Sequence, residues 1–188
     1  MPKGLTAKAF FDRFVCEMTV EGRYVSCEKK NSQFTRKVKN AIEKIICDTP
    51  EYYTVDHTEF LYDEREEEDA KDINVGFNPH KWALTTLVEH ENDDKDWNYE
   101  VYKLAPFHCP LRVIIGYIDE KLRNDPERGD NARLNRICEN FLFMKEQECF
   151  YGGGQFLVII GNSRTWEKAN YKGYLYLEEE NAFYEILQ

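Results

Sequence analysis

What this 188-residue sequence lacks sets its first bounds. It has no run of about 18 uncharged apolar residues, so no membrane span is expected. Charge interrupts the N-terminal MPKGLTAKAFFDRF, and no signal peptide is expected there. None of the six cysteines (Cys16, Cys27, Cys47, Cys109, Cys138, Cys149) belongs to a CxxC pair, which removes the zinc-ribbon and thioredoxin-like patterns. Without a leader they read as reduced thiols in a cytoplasmic protein. There is no HExxH, so zinc hydrolysis of the peptidase kind has no support. YGGGQ at 151–155 lacks the Gly-Lys-Ser/Thr of a phosphate-binding loop and reads as a turn into a strand. A basic excess is absent as well: the formal net charge is −10. That weighs against a general nucleic-acid coating protein, but not against an enzyme that brings a divalent cation to a phosphodiester.

Internal repeats, low-complexity linkers and compositional breaks are also missing, so residues 1–188 are expected to form one domain. Aromatics are plentiful, with 12 Phe, 12 Tyr and 3 Trp. Helical spacing of Phe10, Phe14 and Met18 predicts a helix over 6–18, and that of Phe34, Val38, Ile42 and Ile45 a second over 34–48, stopped by Pro50. The aromatic and β-branched segments 51–63 and 81–92 read as strands. Asp96 is a candidate cap for a helix carrying Trp97, Val101 and Leu104 inward and ending before Pro106. The continuous apolar runs at 109–119 and 155–162 have the signature of fully buried strands, separated by a helix over 128–148. Residues 173–187 read as a closing hairpin. The fold class is mixed α/β, with a central sheet covered by helices on both faces.

The strand 81–92 ends abruptly in Glu89, His90 and Glu91. Residues i and i+2 of a strand share a face. If strands 51–63 and 81–92 pair as an antiparallel hairpin with Asp63 opposite Trp82, the constant index sum puts Asp56 opposite Glu89. Asp56, Glu89 and Glu91 then share one side of the sheet, an arrangement a one-residue slip would destroy. Like charges held so close repel unless a cation lies between them, and oxygen-only ligands favour Mg²⁺ or Mn²⁺. His90 and His57 have the opposite parity, so their rings are expected to leave that face.

At these residues the sequence resembles the PD-(D/E)XK nuclease superfamily, the restriction-endonuclease-like fold. Asp56 stands at the position of the first acid, and Glu89-His90-Glu91 at the triplet ending the next strand. Val55 precedes Asp56 instead of Pro, and Glu91 replaces the triplet Lys. The resemblance covers roughly 34–162. It implies an αβββαβ core, here with an extra N-terminal helix and a C-terminal hairpin. It also implies a metal-dependent enzyme that hydrolyses DNA. Asp56, Glu89 and the His90 carbonyl would hold Mg²⁺ or Mn²⁺, and Glu91 or Lys103 would serve the attacking water. Glu43 resembles the additional carboxylate that some members contribute.

Lys29, Lys30, Arg36, Lys37, Arg133 and Arg136 are candidate phosphate contacts. Nucleic acid, DNA first, is the expected partner. Duplex cleavage needs two active sites, which a homodimer or a partner protein would supply. The same residues also admit a plainer reading: strand-end charges in solvent, a solvated Glu43, and an ion pair of Lys103 with Glu100 three residues before it. The missing triplet Lys and the acidic surface leave an alternative function, a catalytically degenerate member of the fold that binds protein or nucleic acid without cutting.

Overall fold

The structure is a computed structural model that describes residues 5–19, 31–46, 48–49, 56–62, 82–91, 97–162 and 170–187. Two helices open the chain, α1 (Ala7–Thr19) and α2 (Asn31–Ile45). Strands β1 (Asp48–Thr49), β2 (His57–Tyr62) and β3 (Trp82–His90) follow, then α3 (Asn98–Leu104), β4 (Leu111–Ile118), α4 (Asp130–Glu146) and β5 (Gln155–Asn162). The hairpin β6 (Lys172–Leu177) and β7 (Ala182–Ile186) closes the fold. None of the described helices is long and apolar enough to cross a membrane.

All seven strands form one mixed sheet in chain order. β1, β2 and β3 are an antiparallel meander. β3, β4 and β5 run parallel, so each of those two joins needs a crossover, and α3 and α4 supply them. β6 and β7 return to antiparallel pairing.

Strand parity sorts the core into two layers. Val88, Val113, Ile115 and Leu157 face α1 and α2. Leu87, Ile114, Phe156 and Val158 face α3 and α4. All eight residues of β4 are buried, as its uninterrupted apolar run predicts for a strand covered on both sides. The Phe10, Phe11 and Phe14 rings of α1 are buried too, each worth roughly 1.5–3 kcal/mol.

Two features seat α3 against the sheet, and a third seats α4. Trp97 occupies the N-cap position and lies against Gly116 of β4. A Cβ built there would fall 2.3 Å from Trp97 Cε2, so only glycine leaves room for the indole. Arg112, fully buried, gives its guanidinium to the carbonyls of Ala105, Tyr151 and Gly153, which clamps the α3–β4 connection. Arg123, another buried cation, donates Nη1 to Asp130 Oδ2 at 3.1 Å and Nη2 to the Ile160 carbonyl, tying the start of α4 to β5. Arg123 therefore has an architectural role.

Several expectations shift. The expected helix over 34–48 ends at Ile45, and Asp48–Thr49 turn instead into the short β1. Tyr62, not Asp63, pairs with Trp82. The Asp96 cap, Lys29, Lys30 and the acidic run 63–72 lie outside the described residues. Glu178, Glu179 and Glu180 form the exposed β6–β7 turn, as their charge suggests.

Candidate active site at the end of β3

β3 carries its side chains alternately toward α2 and toward α3. Glu89 has the parity of Leu87 and enters the α3 side, where it is 1% exposed. His57 pairs with Val88, so Asp56, one residue earlier, falls opposite Glu89. The two strands are stitched there by a side chain: the His90 N–H donates to Asp56 Oδ2 at 3.1 Å.

α3 delivers the remaining charges. Lys103 Nζ donates to Glu89 Oε2 at 2.8 Å and lies 2.5 Å from Glu100 Oε2, close enough for an ion pair but off-line for a hydrogen bond. Glu100 and Lys103 are one helical turn apart, so one ammonium sits between two carboxyls that are both almost fully covered. Burial, then pairing with Glu100 that favours the protonated form of Glu89, push the Glu89 carboxyl from 4.5 up to about 9, against the pull of Lys103. Burial alone would lower the Lys103 ammonium, but its close contact with Glu100 and its hydrogen bond to Glu89 outweigh that and hold it above its ordinary value. At neutral pH Glu89 is therefore protonated and Lys103 carries its charge. Glu89 Oε1 accepts no hydrogen bond among the described residues. A buried carboxyl oxygen in that state has an unmet demand for a donor or a cation.

The histidines behave as parity predicts. The His90 ring points to the α2 side, where Nε2 lies 3.1 Å from Tyr117 Oη and the ring packs near Phe34. Burial lowers its pKa to about 4, so it is neutral at physiological pH.

Not every sequence candidate joins the cluster. Glu91 lies just past β3, half-buried, with its N–H on the Ile115 carbonyl. Among the described residues no three His, Cys, Asp or Glu side chains converge closely enough to hold an ion, so the expected three-carboxylate cage is not preassembled. Glu43 is exposed: α2 turns Val38, Ile42 and Ile45 inward and Glu43 outward, on the face of the sheet opposite Glu89. Arg36 is exposed on the same helix, whereas Lys37 reaches back to the Met18 carbonyl. On α4, Arg133 stacks over the Trp97 ring at 4.7 Å, and Arg136 donates to the Glu127 carbonyl.

The ion pair of Lys103 with Glu100 is present as the plainer reading expects, but the burial of Glu100 is what sequence reasoning missed. Its signal was present: position 100 is three after Trp97 and four before Leu104, on the buried stripe of α3. A charge on that stripe calls for a partner. Scans of protein-family models, curated proteins and solved structures found no match to this chain.

Proposed function

We propose that the chain is a metal-dependent nuclease that hydrolyses DNA phosphodiester bonds on a restriction-endonuclease-like fold. The observation that carries this reading is the buried Glu89 at the end of β3, held opposite Asp56 and bonded to Lys103 from the next helix. The order α2-β1-β2-β3-α3-β4, with an antiparallel meander followed by a parallel strand, supports it as the αβββαβ core.

The residues fit a hard cation. Among the described residues Glu89 Oε1 has no donor, Asp56 lies across from it at the start of β2, and His90, next after Glu89, adds its carbonyl oxygen. Mg²⁺ commonly takes one or two carboxylates and completes its shell with water and substrate phosphate, so a three-carboxylate cage is not required. Bound there, the ion polarises the scissile phosphate and acidifies a water. Glu89 would release its proton to solvent on becoming a ligand. Lys103 then faces a newly charged carboxylate, stays protonated, and offsets negative charge developing on the phosphate. Glu91, one step beyond the strand, is the alternative group for orienting the water.

The second reading is a catalytically degenerate binding module. It is favoured by the protonated, lysine-capped state of Glu89 and by Glu91 in the triplet position. Incubation of plasmid DNA with Mg²⁺ or Mn²⁺ separates the two. Nicking by the wild type, lost in Glu89→Ala, supports the nuclease. Intact plasmid under every metal leaves the binding module.

A further inference from the structure

We infer that the exposed face of α3 is a stacking surface for unpaired nucleotides, so that the strand presented to Glu89 is single. The inference deepens the nuclease reading, on which it rests only for what happens to the strand after it binds. Tyr99 is 65% exposed and Tyr102 43% exposed, three residues apart on one turn of the helix. The Tyr99 ring borders the candidate site, and Tyr102 lies one turn further along the same helix. Lys103 Nζ, the group that holds Glu89, lies 5.3 Å from the Tyr99 ring centroid. Tyr102 is pinned at the rim: its hydroxyl donates to Asn140 Oδ1 at 3.3 Å, and Asn140 Nδ2 donates to Asn98 Oδ1 at 2.6 Å.

Cations continue the same surface onto α4. Arg136, one turn before Asn140, is exposed, and its Nη2 rests on a backbone carbonyl, which leaves the guanidinium charge uncancelled by that bond. Arg133 lies beside it over Trp97. Exposed rings interleaved with guanidinium groups match single-stranded nucleic acid, whose bases stack on aromatic faces while cations follow the backbone. A duplex keeps its bases paired and offers those rings no base face. The net charge of −10 opposes a polyanion over the molecule as a whole, so binding would need local cations such as these.

Fluorescence anisotropy tests this directly. The probes are fluorescein-labelled thymidine and uridine oligonucleotides and a DNA duplex of equal length, in chelating buffer and in Ca²⁺. Wild type is compared with Tyr99→Ala, Tyr102→Ala and the two Tyr→Phe variants. Single strands should bind more tightly than duplex. Each Ala variant should weaken single-strand binding roughly five- to hundredfold, and each Phe variant by less than about twofold, since Phe keeps the ring. The thymidine and uridine arms distinguish DNA from RNA. Single-strand binding that is absent, or indifferent to both Ala variants, overturns the inference. Cleavage measured in parallel keeps the two readings apart. Ring-dependent binding without metal-dependent cleavage overturns the nuclease alone, and cleavage with ring-independent binding overturns the stacking surface alone.

Discussion

The main-chain N–H of His90 donates to the carboxylate of Asp56, 34 residues earlier in the chain. This bond locks the start of β2 to the end of β3 and sets Asp56 beside Glu89. The same backbone sends the His90 ring to the other side of the sheet, against Tyr117. One residue thus fixes the acid pair with its backbone and the α2 layer with its side chain.

The Glu89–Lys103–Glu100 cluster yields two opposite expectations. Lys103→Ala should lower turnover by roughly 10²- to 10⁴-fold, the usual weight of a group that handles protons or charge at the reacting centre. Glu100→Gln removes a pairing and a like charge that raise Glu89, and its amide can donate to the neighbouring carboxyl. Stability should hold within about 1 kcal/mol or rise. Urea denaturation of both variants, beside plasmid nicking, checks the pair. A Glu100→Gln protein destabilised by several kcal/mol would show that the cluster serves the fold rather than the site.

Gly116 links core packing to the site. Ala there would drive a methyl into the Trp97 indole, displacing the residue that starts α3. Overpacking of this kind costs about 1–3 kcal/mol. Thermal unfolding should show the loss, and tryptophan fluorescence of the native state should shift because the ring has moved. An unchanged spectrum with unchanged stability would mean that α3 is not seated through this contact.

Cysteine reactivity should follow burial. Cys16 and Cys149 are exposed, whereas Cys109 and Cys138 are buried, and all four are free thiols. Burial, then the charge of Glu139, push the Cys138 thiol up to about 11. At pH 8 its thiolate fraction is therefore roughly a thousandth. Iodoacetamide in native buffer should label Cys16 and Cys149 first, with Cys138 protected until the protein unfolds. The linkage has a definite sign. The folded state holds this proton more tightly than the unfolded one, so Cys138 contributes stability below pH 9 that is lost as pH rises from 9 toward 11. Rapid native labelling of Cys138 would contradict its placement under β7.

Much of the fold was legible because its strongest signals are periodic and long. The run 155–162 is β5 to the residue, and the inward stripe of α2 matches Phe34, Val38, Ile42 and Ile45. β1 was not legible: two residues cannot display a period, and pairing with β2 alone makes them a strand. The acid pair was reached through a register that is right at one end and shifted at the other. Glu59 pairs with Thr86 and Phe60 with Leu84, so Thr85 is an extra residue, and this bulge moves the index sum by one along the hairpin. Sequence cannot announce a bulge that contains no glycine. Glu100 was hidden by its own charge, because a carboxylate near a lysine on a helix reads as a solvated pair until the neighbouring helix is seen to cover it.

Whether Asp56 and Glu89 share a divalent cation is most directly tested by Mn²⁺ binding, followed by electron paramagnetic resonance of the free ion during titration. The wild type, Asp56→Asn and Glu89→Gln are titrated side by side, with circular dichroism confirming that each is folded. The account predicts binding by the wild type and at least a tenfold loss in each variant, about 1.4 kcal/mol or more. Mn²⁺ bound equally by all three proteins, or by none, would contradict it.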